Sequence, residues 1–339
     1  MKKLFIKLCQ TLIVAALCLT LSNVVYKKYF YFSDIDHFDA NILFQLDSLQ
    51  QVSDVLYFAE SSNGRYADND TCTLSTSEML DTLSPLKINA VEYSALHAGI
   101  YTQLIKNIQT ETKVKTIIVA LNLRSFNADW INSELETKLS QTAVMYQPGA
   151  PIIKRLKLAF NAYDNKSIEL RNYNKEQQWK YDFINVPSNF KYKNVRDWDN
   201  GMANGTYLLP NGDWDMPKIS LACSYVKSYA FTINPVTNPR IKNFDEIVQT
   251  VKEKNIKLIF NLLPENVEYA DSLVGKELVN LMIENKNFLI ERYSALGVTV
   301  IDNFTNVKGK DYIDQNWTTE HYNQTGRWII AQNMLKTLN

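Results

Sequence analysis

The run DVLYFAESSNGRY (residues 54–66) contains the change of pattern that decides the fold. Residues 54–59 are mostly apolar, and an acid, two serines, an asparagine and a glycine follow them. A continuous apolar run of this length is typical of a strand buried on both faces of a parallel sheet. The polar turn predicts that the chain leaves the sheet here, at the edge where parallel sheets bind ligands.

Four more apolar runs of similar length follow along the chain. They are residues 88–93, 115–121, 256–263 and 297–302. Helical patterns separate them or follow them, at residues 74–83, 95–110, 243–254, 272–295 and 324–338. Strands that alternate with helices indicate βαβ units, and so a three-layer α/β/α sandwich with a central parallel sheet. We expect residues 54–339 to form this domain.

The alternation fails between about residues 127 and 242. This stretch opens with helical patterns and then becomes rich in Asn, Asp, Trp, Tyr and Gly. We expect a large irregular insertion within the single α/β domain. Its tryptophans Trp179, Trp198 and Trp214 either form a stacking platform for sugar rings or pack the interior of the insertion.

The N-terminus carries a candidate membrane segment. Three lysines precede an apolar run over residues 8–25, and two lysines follow it. The run is long for a signal peptide and close to the shortest length that spans a bilayer. We therefore favour an uncleaved signal anchor over residues 1–30, followed by a stem over residues 31–53. A cleaved signal and a buried core helix are the alternatives. The lysine bias predicts a single-pass protein with its main domain outside the cytoplasm.

The charge balance and the cysteines restrict the partners. Of the 339 residues, 36 are basic and 36 acidic, so the formal net charge is zero and no nucleic-acid partner is indicated. Cys72 and Cys223 are the only cysteines outside the apolar run. They form one disulfide or remain two unrelated thiols.

Two polar residues fall at the same predicted edge of the sheet. Ser61 follows the first strand, where its hydroxyl can be exposed and its N–H can face an oxyanion. A helix cap is the alternative role for this serine turn. His321 lies in a polar loop between the last strand and the final helix. A nucleophilic serine needs a base within hydrogen-bond reach, and His321 is the histidine placed to serve.

These blocks resemble the SGNH (GDSL-type) hydrolases, in particular the membrane-anchored envelope branch with D-alanyl-transfer and alginate O-acetyltransferase-like proteins. Ala59-Glu60-Ser61 resembles the Gly-Asp-Ser turn, and the segment around His321 resembles the last block, with Asn323 and Gly326. The resemblance covers residues 54–126 and 243–338. It implies a flavodoxin-like strand order.

The resemblance also implies the site residues. Ser61 would be the nucleophile and His321 the base. Gly99 from the second block and Asn122 from the third would bind the oxyanion, with Arg124 near the same point.

One departure concerns the acid of the triad. The family has an acid three residues before the histidine, where this chain has Thr318. Either the site is a Ser-His dyad or another carboxylate has replaced that acid. Glu320 and Asp314 are the local candidates, and we include Glu320 with Ser61 and His321 as a candidate catalytic residue.

The resemblance implies an extracytoplasmic serine esterase or O-acyltransferase. Its partners would be an acylated carbohydrate or another small ester, and the membrane through the N-terminal helix. A serine enzyme of this kind needs neither a metal nor another cofactor, so we expect none. The alternative is a non-catalytic carbohydrate-binding or assembly protein on a degenerate SGNH fold, which the missing acid and the aromatic insertion motivate.

Overall fold

A single parallel sheet of five strands organises the domain. A computed structural model describes residues 1–205 and 207–338. The strands are β1 (Val55–Ala59), β2 (Ile88–Glu92), β3 (Thr116–Leu121), β4 (Lys257–Leu262) and β5 (Thr299–Asp302). All five apolar runs that predicted strands are strands, which confirms the α/β class.

The strands lie in the order β2-β1-β3-β4-β5. β1 is interior, since Val55 pairs with Ile88 of β2 on one side and with Thr116 of β3 on the other. All pairings are parallel. The carboxyl ends of the strands therefore meet at one edge, which is the edge where polar loops from distant parts of the sequence converge.

Helices connect the strands and cover both faces of the sheet. They are α1 (Lys2–Tyr29), α2 (Tyr31–His37), α3 (Ile42–Val52), α4 (Ser61–Gly64), α5 (Thr76–Leu83), α6 (Ala98–Lys106), α7 (Ala128–Ile131), α8 (Leu135–Tyr146), α9 (Pro151–Ala159), α10 (Ile168–Tyr181), α11 (Val195–Ala203), α12 (Met216–Tyr229), α13 (Pro239–Glu253), α14 (Val267–Leu273), α15 (Lys276–Ala295) and α16 (Gln324–Leu338). Short 3₁₀ helices occur at Leu123–Phe126 and Gly309–Asp311.

Alternate residues of each strand enter two separate apolar cores. In β1, Leu56 and Phe58 belong to the larger core, whereas Val55, Tyr57 and Ala59 belong to the smaller one. α5 and α16 close the smaller core, and α3, α6, α13 and α15 are among the helices that close the larger one. Burial on both faces explains why the strands read as continuous apolar runs instead of alternating patterns.

The insertion is more regular than we expected. Instead of irregular chain, α7 to α12 occupy most of residues 127–242. Trp179 and Trp198 are buried, so they pack the interior of the insertion, and only Trp214 is exposed. We expected irregular chain because these helices have mostly polar faces. α10, for example, buries only Arg171 and Trp179 and shows little apolar periodicity.

The segment expected as a stem packs against the domain. α2 and α3 span most of it, and Ile35, Leu43 and Leu46 contribute to the larger core. α1 precedes it and is long and apolar enough to cross a membrane, with a mean hydropathy of 2.1 over its apolar window. A signal sequence meets the same criterion.

Cys72 and Cys223, the two cysteines outside the apolar N-terminal run, are free thiols. Cys72 is partly buried, and Cys223 lies buried in α12 with its Sγ 3.6 Å from the carbonyl oxygen of Asp199. Burial, with the nearby Asp199, raises the pKa of the Cys223 thiol to about 11. The sequence allowed either one disulfide or two unrelated thiols, and the structure has two unrelated thiols.

Candidate active site

Ser61, His321 and Asp314 form a continuous hydrogen-bonded chain. Ser61 Oγ lies 3.0 Å from Nε2 of His321, and Nδ1 of the same ring lies 2.6 Å from Oδ2 of Asp314. The serine and the histidine are 260 residues apart in the sequence. This order of hydroxyl, imidazole and carboxylate is the arrangement of a catalytic triad, in which the carboxylate orients the ring and the ring activates the hydroxyl.

Close packing at the end of β1 positions the serine. The short helix α4 begins at Ser61, directly after the extended residue Glu60. Asn63 fixes this turn, because its Oδ1 accepts the backbone N–H of Ser77 at 2.9 Å and its Nδ2 donates to Glu92 at the end of β2. At Gly64, a Cβ would lie 2.7 Å from Oε1 of Glu92, so a larger residue would require the Glu92 carboxylate to shift.

The two adjacent serines have different environments. Ser61 is partly exposed and contacts His321, whereas Ser62 is buried at 3% exposure. Within the described residues, the Ser62 hydroxyl has no hydrogen-bond partner. Consecutive residues of a helical turn point about 100° apart, so only one of the two can face the histidine. The hydroxyl that meets a base is that of Ser61.

A tight loop holds the histidine and the aspartate together. The backbone N–H of Ile313 donates to the carbonyl oxygen of His321 at 2.9 Å. Asp314 also accepts a hydrogen bond from Thr319 Oγ1 at 2.9 Å. Burial acts to raise the pKa of Asp314, but the hydrogen bonds from His321 and Thr319 outweigh it and lower that pKa below its ordinary value. Asp314 therefore stays ionised at neutral pH, as an orienting carboxylate must.

Asn323 and Gly326 stabilise the start of the last helix. Asn323 Oδ1 accepts the backbone N–H of Gly326 at 3.1 Å, and its Nδ2 donates to Asp311 at 3.2 Å. A Cβ at Gly326 would lie 2.8 Å from the Cβ of Tyr322. The family-like residues of this block are thus packing and capping residues that fix the loop behind His321.

Of the two local candidates for the acid, Asp314 contacts the histidine ring and Glu320 does not. Thr318 does not reach the ring, since its hydroxyl lies 3.2 Å from Ser228 Oγ and 3.3 Å from Ser224 Oγ. Glu320, the acid we named with Ser61 and His321, makes a two-pronged ion pair with Arg124 instead. Adjacent side chains in extended backbone point to opposite sides, which directs Glu320 away when His321 faces the serine.

The expected oxyanion donors are only partly in place. Asn122 is near, because its Nδ2 donates to Oε1 of Glu60, the residue before the serine. Nδ2 carries two hydrogens, and this bond uses one of them. The Ser61 N–H begins a helical turn and so has no acceptor within that turn. These two groups are the best-placed donors.

Gly99 and Arg124 do not fit the role we expected. The Gly99 N–H donates to Nδ1 of His97 at 3.1 Å, and a Cβ there would lie 3.1 Å from Asn243 of α13. The Arg124 guanidinium is buried and committed to Glu320. Both groups already have partners, so neither is an available oxyanion donor in this geometry.

A buried group of charges lies beside the triad, and no local pattern in the sequence predicts it. Arg124 is the cation, and Glu60, Glu265 and Glu320 are the buried carboxyls around it. Arg124 pairs with Glu320, which leaves the other two without a cation of their own. Burial and the charge of Glu320 raise the pKa of Glu60 to about 7, against the opposing effects of Asn122 and Arg124. The same two causes raise the pKa of Glu265 well above its ordinary value.

We expect Glu60→Gln to remove a pH dependence of stability. The folded state holds the Glu60 proton up to about pH 7, whereas the unfolded chain loses it near 4.5. The folded state thus binds more protons in this window, and stability must fall as pH rises through it, by on the order of 3 kcal/mol. The substituted glutamine cannot ionise and keeps an acceptor for Asn122. The measurement is urea unfolding at pH 5 and pH 8.

The control for this test is Glu291→Gln on the exposed side of α15. We expect it to follow the wild-type pH dependence, while Glu60→Gln gains relative stability at pH 8. Equal pH dependence of all three proteins would contradict the assignment of a buried, protonated Glu60.

A polar depression opens at the serine. It has a volume of about 440 Å³ and lies on the β2 side of β1. Its lining residues are Ser61, Gly64, Arg65, Tyr66, Asp68, Glu92 and Ser94. A small ester can therefore reach the Ser61 hydroxyl from solvent without a rearrangement of the chain.

Comparison with known proteins adds no assignment: no family model and no curated protein matches this chain.

Proposed function

We propose that this protein is a serine esterase or O-acyltransferase of the SGNH (GDSL-type) superfamily, acting on an acyl ester of a glycan. The observation that carries the proposal is the Ser61–His321–Asp314 chain, with contacts of 3.0 and 2.6 Å. The parallel sheet in the order β2-β1-β3-β4-β5 supports it. So do the positions of the serine after β1 and of the histidine before α16.

The reaction begins with attack on the ester carbonyl. Ser61 Oγ forms a bond to the carbonyl carbon while Nε2 of His321 takes the hydroxyl proton. Asp314 accepts a hydrogen bond from Nδ1–H, stays ionised and stabilises the imidazolium. The oxyanion forms within reach of the Ser61 N–H and the second hydrogen of Asn122 Nδ2.

The second half of the reaction releases the acyl group. The tetrahedral intermediate expels the alcohol, which takes the proton from His321, and leaves an acyl ester on Ser61. His321 then removes a proton from water or from another hydroxyl, whose oxygen attacks the acyl-enzyme. The second tetrahedral intermediate breaks its bond to Ser61 Oγ, and His321 returns the proton to that oxygen. Water gives hydrolysis and free acid, whereas a sugar hydroxyl gives acyl transfer and a new ester.

The alternative, a non-catalytic binding protein, was motivated by the missing acid at Thr318 and by the aromatic insertion. Asp314 contacts the histidine ring, and Trp179 and Trp198 of the insertion are buried, so neither observation now favours it. The test is turnover of p-nitrophenyl acetate by the full chain in detergent. Release of p-nitrophenol above the buffer rate is the expected result, and no release from folded protein would contradict the proposal.

We further propose that α1 is an uncleaved single-pass anchor with the main domain outside the cytoplasm. The last part of α1 packs on the domain, since Asn23 Oδ1 accepts the backbone N–H of Ile152 in α9 at 3.1 Å. Tyr26 is buried, and its hydroxyl donates to Asp34 of α2 at 2.6 Å. A cleavage site near residue 22 would lie directly before this packed region.

An uncleaved anchor predicts that the protein stays in the membrane fraction after a carbonate wash and that Met1 remains attached. Apolar burial of roughly 18 residues in lipid resists high pH, whereas peripheral contacts do not. Fractionation and N-terminal peptide mass spectrometry measure this. A soluble form that begins near residue 23 would show that the segment is a cleaved signal.

A further inference from the structure

Trp317 is an exposed aromatic residue on the loop that carries the triad. Its side chain is 61% exposed, although its backbone N–H is bound to the carbonyl oxygen of Asp314 at 3.3 Å. Asp314 and His321 flank it in the sequence, three residues before it and four after it. A single exposed aromatic residue is common on protein surfaces, so the position of this indole beside the candidate active site is what distinguishes it.

The indole lies between two depressions on the surface. The smaller one has a volume of about 240 Å³ and the larger one about 800 Å³, and Trp317 lines both. The smaller one is lined by Arg124, Asn127, Asp129, Trp130, Ser133, Ser224, Ser228, Trp317 and Thr318. The larger one is lined by Asp215, Pro217, Lys218, Ser220, Leu221, Tyr269, Ser272, Leu273, Gln315, Asn316 and Trp317. Trp317 is the lining residue that the two depressions share, and we refer to the two depressions together as the groove.

The lining combines aromatic faces with small polar groups. In the smaller depression, Trp130 lies beside the Arg124 guanidinium, 5.7 Å from its ring centroid. The hydroxyls of Ser224 and Ser228 lie 3.3 and 3.2 Å from that of Thr318. Hydroxyl groups both donate and accept, so the cluster can pair with a ligand that does the same.

The groove does not suit a lipid chain or a polyanion. The lining mixes apolar side chains such as Leu221 and Leu273 with hydroxyl, amide and charged groups, and these polar groups would be left unsatisfied against an acyl chain of more than a few carbons. The larger depression has one acid, Asp215, and one base, Lys218, so it offers no basic track for phosphates. A sugar fits better, because a pyranose ring has an apolar C–H face for an indole and a rim of hydroxyls for amides and hydroxyls.

We infer that Trp317 is the stacking platform of a carbohydrate-binding groove that holds the glycan part of the ester or of the acyl acceptor. The inference depends on the proposed function, because it assigns the groove to the substrate of the same triad. The loop from Asp314 to His321 then has two tasks: it supplies the acid and the base, and it presents the indole to the sugar.

The position of the groove relative to the sheet fits this division. Arg124 and Thr318 place the smaller depression towards β3, whereas the polar depression at Ser61 lies towards β2. In strand order, Ser61 at the end of β1 therefore lies between the β2 side and the β3 side of this edge. One side can hold the acyl-bearing group and the other the glycan.

The test compares Trp317→Ala with the matched control Trp328→Ala. Trp328 is 40% exposed on α16 and lines neither depression. The substrates are p-nitrophenyl acetate and a mixture of O-acetylated cello- and xylo-oligosaccharides. We expect Trp317→Ala to lower the ratio of kcat/KM for the oligosaccharides to that for p-nitrophenyl acetate about tenfold, the loss expected when an aromatic anchor is truncated. Trp317→Phe should restore part of it, and Trp328→Ala should leave the ratio unchanged.

Binding without turnover separates the groove from the chemistry. Calorimetric titration of Ser61→Ala with the same oligosaccharides should give binding, and adding Trp317→Ala should weaken it about tenfold. The inference would be overturned if Trp317→Ala left the ratio of kcat/KM for the oligosaccharides to that for p-nitrophenyl acetate unchanged. It would also be overturned if Trp317→Ala left the oligosaccharide affinity of Ser61→Ala unchanged. Turnover of p-nitrophenyl acetate without any turnover or binding of the oligosaccharides would overturn it too. Absence of p-nitrophenyl acetate turnover would instead contradict the proposed function while the binding arm still tests the groove.

Discussion

Replacement of Ser61 by alanine is expected to abolish turnover of p-nitrophenyl acetate, with a loss in kcat/KM of at least about 10⁴-fold. The physical reason is the contact of 3.0 Å between Ser61 Oγ and His321 Nε2, which is the route by which the hydroxyl loses its proton. Without the hydroxyl, no acyl-enzyme forms. The remaining rate would come from water held beside the oxyanion donors.

The matched control is Ser62→Ala, one residue further along the turn. Ser62 is buried and has no hydrogen-bond partner within the described residues, so its loss removes no contact with the triad. We expect Ser62→Ala to keep activity within about threefold, less than ~0.7 kcal/mol of barrier. If Ser62→Ala loses turnover and Ser61→Ala keeps it, the assignment of the nucleophile is wrong.

The second large effect is expected from Asp314→Asn. An amide at this position keeps the size of the side chain but removes the charge that stabilises the imidazolium and selects the ring tautomer. We expect kcat to fall about 10³- to 10⁴-fold. The melting temperature should change little, because Asp314 is part-exposed and its other contact is to Thr319. Steady-state kinetics and thermal melting of the purified variant measure both.

Glu320→Gln is the informative comparison for this variant. Glu320 is bound to Arg124, with no contact to the histidine ring, so its effect on kcat should stay below about tenfold. Glu60 and Glu265 lie close enough to the freed guanidinium to ionise in its place, which limits the loss of stability. A large loss of kcat in Glu320→Gln, with little loss of kcat in Asp314→Asn, would show that Glu320 and not Asp314 is the acid of the triad.

Local pattern predicted the sheet, the serine and the histidine, and it left the acid open between Glu320 and Asp314. Strands buried on both faces read as apolar runs, and their ends were correct to within about two residues. Because parallel strands share a carboxyl edge, a serine after β1 and a histidine before α16 had to fall on one rim. Only the order of strands and helices is needed to place these two residues, and the apolar runs and helical patterns of the sequence supply that order.

The remaining parts depend on side-chain directions that element order does not fix. Asp314 reaches the ring only because the loop folds back on itself through the pairing of Ile313 with His321. Arg124 and Glu320 are 196 residues apart, and nothing local marks them as partners. Gly99 matched the family motif by position, but its N–H is used by His97 in the cap of α6. Short polar motifs predict where a residue lies along the chain better than what it contacts.

Site-mapped labelling by a fluorophosphonate tests most directly whether His321 activates the Ser61 hydroxyl. The reagent reacts with a serine whose hydroxyl is activated by a base, and mass spectrometry of the digest identifies that serine. We expect the wild-type protein to carry the label on Ser61, His321→Ala to label far more slowly, and Ser61→Ala to remain unlabelled. Two results would show that Ser61 is not a nucleophile activated by His321. One is a folded wild-type protein with Ser61 unmodified, and the other is equally fast labelling of Ser61 in the wild-type protein and in His321→Ala.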